Sequence, residues 1–151
     1  MSIVDELKQS HVDLLESIDG LEPDQLEKKK AIGEWSIRDV VLHLAMWEGE
    51  VLKALAIWRM GHKVDWIYVG DEKNQLKFNK FWIDTMTYLS AEDVIRLFNL
   101  THSAIVADIS AIPEEIWKQR GGIPGWIGNI TTEHNRGHID KIRAYRKTLD
   151  K

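Results

Sequence analysis

One local pattern occurs three times and sets the fold class: a serine, two spacers and an aspartate, directly ahead of an apolar run. It reads "SIVD" at 2–5, "SIRD" at 36–39 and "SAED" at 90–93. A serine hydroxyl in this position accepts the N–H three residues on, and the acid there can return a bond, satisfying donors a new helix leaves open. Behind Ser2, the residues Leu7, His11, Leu14, Leu15 and Ile18 form one helical stripe, and "DGLEP" around Gly20 and Pro23 ends it. After a polar connector, "EKKK", Ser36 opens a second helix over about 36–60, with Val40, Leu44, Trp47, Val51 and Leu55 facing inward and Gly61 as the stop. Residues 62–72 read as a loop and 73–88 as helical, carrying Phe78, Phe81 and Trp82. Ser90 starts a helix through Val94, Leu97, Phe98, Thr101, Ile105 and Ile109 that Pro113 halts, and "PEEIW" adds a turn. The glycine-rich segment 118–129 reads as a loop, and the last helix runs from about 130 to 149. "WIYVG" is the one strand candidate, too short to build a sheet. The expectation is all-α: an antiparallel four-helix bundle with one or two extra short helices, in one domain spanning 1–151.

Composition narrows the chemistry. With 44% hydrophobic and 29% charged residues, the 151-residue chain has the make-up of a water-soluble globular domain. A net charge of −4 argues against nucleic acid or a membrane surface as partner. No apolar run reaches the roughly 18 residues of a membrane span, and the charged N-terminus lacks a signal core, so a cytoplasmic address is expected. The chain has no cysteine, which removes thiolate nucleophiles and thiolate ligands; a transition-metal site would have to use histidine and carboxylate. Seven tryptophans are a heavy load, read as packing for most, with Trp47 placed where it can line a pocket.

The histidines carry the functional signal. His134 and His138 stand four apart in "TTEHNRGHIDKIRAYRK", so they share a helix face, with Ile142, Tyr145 and Leu149 continuing it. Two imidazoles on an apolar face need partners for their nitrogens, and a divalent cation supplies two at once, though zinc or nickel asks for a third protein ligand. His43, between Val40 and Trp47 on the second helix, can provide it; the alternative is a core histidine satisfied by a carbonyl or a carboxylate. His11 reads as a packing residue, a fourth ligand or a pocket group. His102 reads as a flanking polar residue, and His62 as a helix-end histidine after Gly61. Among nearby acids, Glu50 lies seven residues past His43 and returns to the same face, making it the candidate proton carrier or extra ligand; Glu48 and Glu133 read as surface acids.

"GEWSIRDVVLHLAMWE" followed far downstream by "GNITTEHNRGHIDKIRAYRK" resembles the DinB-like superfamily, and within it the small ClbS/DfsB-type proteins. The matching features are a tryptophan with a helix cap, a histidine in "HL" with Trp47 and Glu48 just after, and the H-x3-H pair at His134 and His138. One departure is Gly137, inside the helix beside a proposed ligand; a second register would put Thr131 and Asn135 at the ligand positions instead. The resemblance implies a four-helix bundle, commonly a homodimer, with a three-histidine site for zinc or nickel. It also implies a small-molecule substrate, with a low-molecular-weight thiol as cosubstrate in thiol-dependent relatives. Two functions are expected from it. One is a metal-dependent hydrolase or thiol transferase acting on a small electrophile. The other is a non-catalytic bundle that binds or sequesters a ligand in a stress or self-resistance role.

Overall fold

The computed structural model describes residues 2–66 and 71–150, and the described residues form helices with no strand. "WIYVG" lies largely outside the described residues. In order, the helices are α1 (Ile3–Ile18), α2 (Pro23–Glu27), α3 (Ile37–Arg59), α4 (Glu72–Thr85), α5 (Ala91–Ala111), α6 (Glu114–Gln119), α7 (Gly125–Gly128) and α8 (His134–Leu149). A π-helical turn, Asn129–Glu133, joins α7 to α8. No helix among the described residues is long and apolar enough to cross a membrane.

The repeated serine–aspartate signature does what its chemistry requires. Ser36 and Asp39 exchange both bonds, at 3.0 and 3.1 Å, as do Ser90 and Asp93, both at 3.1 Å. At Ser2 the hydroxyl accepts the Asp5 N–H at 3.1 Å and donates to the Asp5 carboxylate at 2.8 Å. Gly61 ends α3 at φ 96°, a left-handed conformation that costs a glycine nothing. It places the Gly61 and His62 N–H groups on the Trp58 and Ile57 carbonyls, so His62 closes the helix through its backbone. The segment 118–129 is more ordered than its glycines suggest. Pro124 starts α7, fully buried Ile127 anchors it, and Trp126 packs against Trp66.

α1, α3, α5 and α8 make the bundle. Leu7 and His11 on α1 meet His102 and Asn99 on α5, so these two helices run oppositely. On α1, Asp13 and Ser17 meet Arg143 and Arg146 of α8, so those two run the same way. Arg38, early in α3, reaches the Met86 and Leu89 carbonyls just ahead of α5, while Trp58 near its end stacks on Trp117 beyond α5. α3 therefore runs with α5 and against α8. Two parallel neighbours joined in sequence need a crossover the length of the bundle, and residues 60–90 supply it, carrying α4 along α3.

The core divides into two apolar clusters. One gathers Leu14, Leu44, Val94, Phe98, Ile139 and Ile142; the other gathers Leu7, Val51, Leu55, Ile105, Ile109, Ile127 and Ile130. Between them in chain position on α3, α5 and α8 lie Glu48, His102 and Asn135, each with 0% exposure. Glu48 Oε1 accepts the His102 Nδ1–H at 2.7 Å and the Asn135 amide N–H at 2.9 Å. His102 Nε2–H donates to the Leu7 carbonyl at 2.6 Å. One carboxylate and one ring thus tie all four bundle helices. Burial alone would push the His102 pKa down, but the Glu48 hydrogen bond and charge, with the Leu7 carbonyl, outweigh it and hold the ring above its ordinary value. Glu48 and His102 are therefore neither a surface acid nor a flanking polar residue. Polarity in sequence hid them, because a buried charge is tolerated only with a partner that comes from elsewhere in the chain.

Removing one member of this pair strands the other's charge. Glu48→Leu should cost about 3–5 kcal/mol in urea unfolding. The double variant Glu48→Leu/His102→Leu should regain most of that loss, as the non-additivity of a coupled pair requires.

Candidate metal centre

His43 sits in the second turn of α3, and His134 and His138 open α8. The π turn ahead of α8 has one residue more than an α turn, which rotates α8 about its axis relative to an unbroken helix. Thr131 and Thr132 hold that turn by donating to the Ile127 and Gly128 carbonyls. As a result the fully inward face of α8 belongs to Asn135, Ile139 and Ile142, while His134 and His138 are only partly buried beside it. This differs from the sequence-based placement of both imidazoles on the helix's apolar stripe. It also separates the two registers, since Thr131 is spent on the Ile127 carbonyl and Asn135 on Glu48.

The three Nε2 atoms converge. His43 Nε2 is 2.9 Å and His138 Nε2 is 3.2 Å from His134 Nε2, and one nitrogen from each ring falls within 4.8 Å of the others. Three nitrogens around a tetrahedral ion at 2.0–2.1 Å stand about 3.3 Å apart, close to this spacing.

The outer nitrogens bear on how such a cluster could hold a cation. Asn79 Oδ1 accepts the His43 Nδ1–H at 2.9 Å and the Trp47 Nε1–H at 2.9 Å. That leaves His43 Nε2 with a lone pair. The Ile130 backbone beside the His134 ring raises its pKa, as a hydrogen-bond acceptor does. The Nε2 atoms of His43 and His134 lie 2.9 Å apart, a distance that either a proton on His134 Nε2 or an ion accepting both lone pairs would bridge. Three ring nitrogens gathered in this way, with no acidic or cationic group among them, are a donor set that fits a divalent metal.

The rings are held neutral. Burial, then the neighbouring His134 and His138, push the His43 pKa down to about 2. Burial, then His134 and Lys141, push His138 down to about 4. Burial lowers His134 as well, with the Ile130 bond opposing it. Neutral imidazole is the form that binds metal.

A cavity of 590 Å³ opens on the cluster, within the range of small-molecule sites. Trp35, Trp47 and Ile130 give it apolar walls, and Gln75, Asn79, Asn129 and Glu133 its polar groups, with the three histidines completing the lining. Two of the sequence candidates are elsewhere. Glu50 pairs with Lys53 at 2.6 Å and does not line the cavity. Seven residues return it to the His43 face but about 10 Å further along the helix. His11 packs on Phe98 and His102 and bonds Asn99 at 2.6 Å, between α1 and α5, so it is no part of this pocket. Asn79, which the sequence did not single out, is here, as is Trp35, the tryptophan ahead of the Ser36 cap, and Glu133, read there as a surface acid, is the carboxylate at the cavity. Asn79 had no signal of its own, since its role depends on how α4 crosses α3.

In the metal-free protein these histidines set an acid limb. Each is neutral in the folded state and protonates readily when unfolded, so unfolding takes up protons below about pH 6.5 and stability falls with pH. Each contributes up to about 1.4 kcal/mol per pH unit until its folded pKa is reached. Chelator-treated protein unfolded in urea at pH 4.5–7 should show this slope, and His43→Ala should make it shallower. His102 works in the opposite sense. Its contribution is complete below about pH 6.5 and is lost as pH rises through its elevated folded value.

A family model described as the DinB superfamily matches residues 6–142. No curated protein matches the chain. Three solved structures share its fold. A Streptococcus pneumoniae protein has 19% identity and TM-score 0.73, covering 95% of this chain and 88% of its own. An uncharacterized protein from Clostridium difficile 630 has 18% identity and TM-score 0.73, covering 95% and 93%. A structure described as Sibling Lethal Factor Precursor - DfsB has 18% identity and TM-score 0.76, covering 97% and 94%. With a family match over nearly its whole length and the bundle that such relatives share, the chain belongs to the DinB superfamily.

Proposed function

We propose that this protein is a metal-dependent enzyme in which His43, His134 and His138 hold a zinc or nickel ion, acting on a small electrophile by hydrolysis or thiol transfer. The observation that carries the reading is the convergence of the three Nε2 atoms, at 2.9 and 3.2 Å from His134, beside an open cavity, with the outer nitrogen of His43 engaged by Asn79. Bound there, the ion supplies Lewis acidity and lowers the pKa of a water or thiol at its remaining position.

The chain's own residues do the rest. Asn79 fixes the His43 ring and the Trp47 indole through one oxygen, so the ligand and the pocket wall are oriented together. Trp35, Trp47 and Ile130 exclude water from one side of the substrate. Glu133, at the cavity and exposed, takes the proton-carrying role for which its placement suits it better than that of Glu50. With no cysteine in the chain, a thiol nucleophile comes from a cosubstrate.

Metal analysis of purified protein is the test. About one zinc or nickel per chain is expected; His43→Ala should lose it while keeping its helical circular dichroism. Asn79→Ala should keep the fold and weaken metal affinity by about 10–100-fold. A native protein that takes up no divalent metal would favour the ligand-sequestering alternative.

A further inference from the structure

Beside the three imidazoles stands a cation with no partner. Lys141 follows His134 and His138 on α8 at seven and three residues, so all three share one stripe of the helix. It is exposed and takes part in no hydrogen bond or ion pair among the described residues. The acid next to it in sequence, Asp140, leans to Arg143 at 4.0 Å. The lysines of α4 are elsewhere: Lys73, Lys77 and Lys80 line a separate outer groove. After burial, which is the largest cause, the Lys141 charge helps to lower the pKa of all three rings, so it is felt at the cluster.

The fold says where this charge acts. Since α3 runs against α8, going back from His43 to Trp35 follows α8 forward from His138 to Lys141. The Trp35 ring, 5.0 Å from that of His43, therefore marks the lysine's end of the cavity, and Asn129, Ile130 and Glu133 mark the other. Lys141 stands outside the lining, but its four-carbon arm spans the single turn back to His138. Glu133 is eight residues away, about 12 Å along the axis and beyond a Debye length at physiological salt. Each charge thus governs its own end. A divalent ion on three neutral rings carries two positive charges, Lys141 adds one and Glu133 removes one. Two negative charges on a ligand balance that sum.

We propose, on the basis of the metal reading above, that the centre takes ligands with two negative charges. One sits on the atom bound to the ion. The other is a carboxylate, too far along the ligand to chelate the ion, paired with Lys141 at the Trp35 end. A carboxylate suits a lone lysine, since one charge meets one charge and no bidentate fork is needed. Lys141 is thereby a specificity-determining residue: it holds the ligand's tail and leaves metal uptake to the histidines.

The test uses cobalt(II)-loaded protein with 4-mercaptobenzoate and its uncharged isostere 4-mercaptobenzamide, rigid thiols whose far group cannot fold back onto the ion. Thiolate ligation is read at low salt from the near-ultraviolet charge-transfer band of cobalt. The ratio of acid to amide affinity should fall about threefold from wild type to Lys141→Gln, the scale of one exposed charge pair, and fall further in Lys141→Glu. Comparing the ratio between variants cancels the difference in basicity of the two thiols. Cobalt uptake should match wild type in both variants. A ratio that Lys141→Gln leaves unchanged, or cobalt uptake lost in that variant, would overturn the inference while leaving the metal reading standing. Failure of wild-type protein to take up cobalt at all would overturn both.

Discussion

The bond between Glu48 and His102 is the constraint on which the rest of the structure depends. Apolar packing alone leaves a four-helix bundle free to slide or rotate by a turn, because leucine and isoleucine stripes accept many registers. A carboxylate buried between α3 and α5 accepts far fewer. Its oxygen must meet the His102 ring and the Asn135 amide, and the ring must meet the Leu7 carbonyl. Any slip strands a charge in the core at a cost of several kcal/mol. The same layer places the metal cluster: Glu48 is five residues from His43, and Asn135 comes directly after His134. Pinning Glu48 to Asn135 fixes α3 against α8 about one turn from where the three imidazoles meet.

The two histidine environments work in opposite senses. His102 has an anion on one side and a carbonyl on the other, so both nitrogens donate and the ring favours its charged state. His43 has an acceptor on one side and another imidazole on the other, so its Nε2 keeps a lone pair directed inward. The same side chain thus serves as a structural cation in one layer and as a neutral donor set in the next. Neighbouring oxygens decide which.

Much of the fold was legible in the sequence, for local reasons. Caps, stripes and glycine stops act over a few residues, so Ser36, Gly61 and Ser90 marked their helix ends without tertiary information. His43, His134 and His138 stood out because spacing on a helix fixes direction. Long-range partners decided what was not legible. Nothing near Glu48 in sequence announces His102, 54 residues away. Nothing near His43 announces Asn79, 36 residues away. The π turn before α8 also has no simple sequence signature, and it shifted the inward face from the histidines to Asn135 and Ile139. Glu50 shows the limit of face arguments: helical phase put it on the right side, and rise along the axis put it too far away.

Three neutral imidazoles bring their Nε2 atoms together, and His102 stands apart from them. Histidine side-chain nitrogen NMR, recorded on metal-free protein at pH 7 and through a zinc titration, measures this most directly. An Nδ1–H tautomer is expected for His43 and two protonated nitrogens for His102. Zinc should give saturable shifts at Nε2 of His43, His134 and His138 together. Zinc shifts confined to a single ring, or His43 found with its proton on Nε2, would contradict this picture.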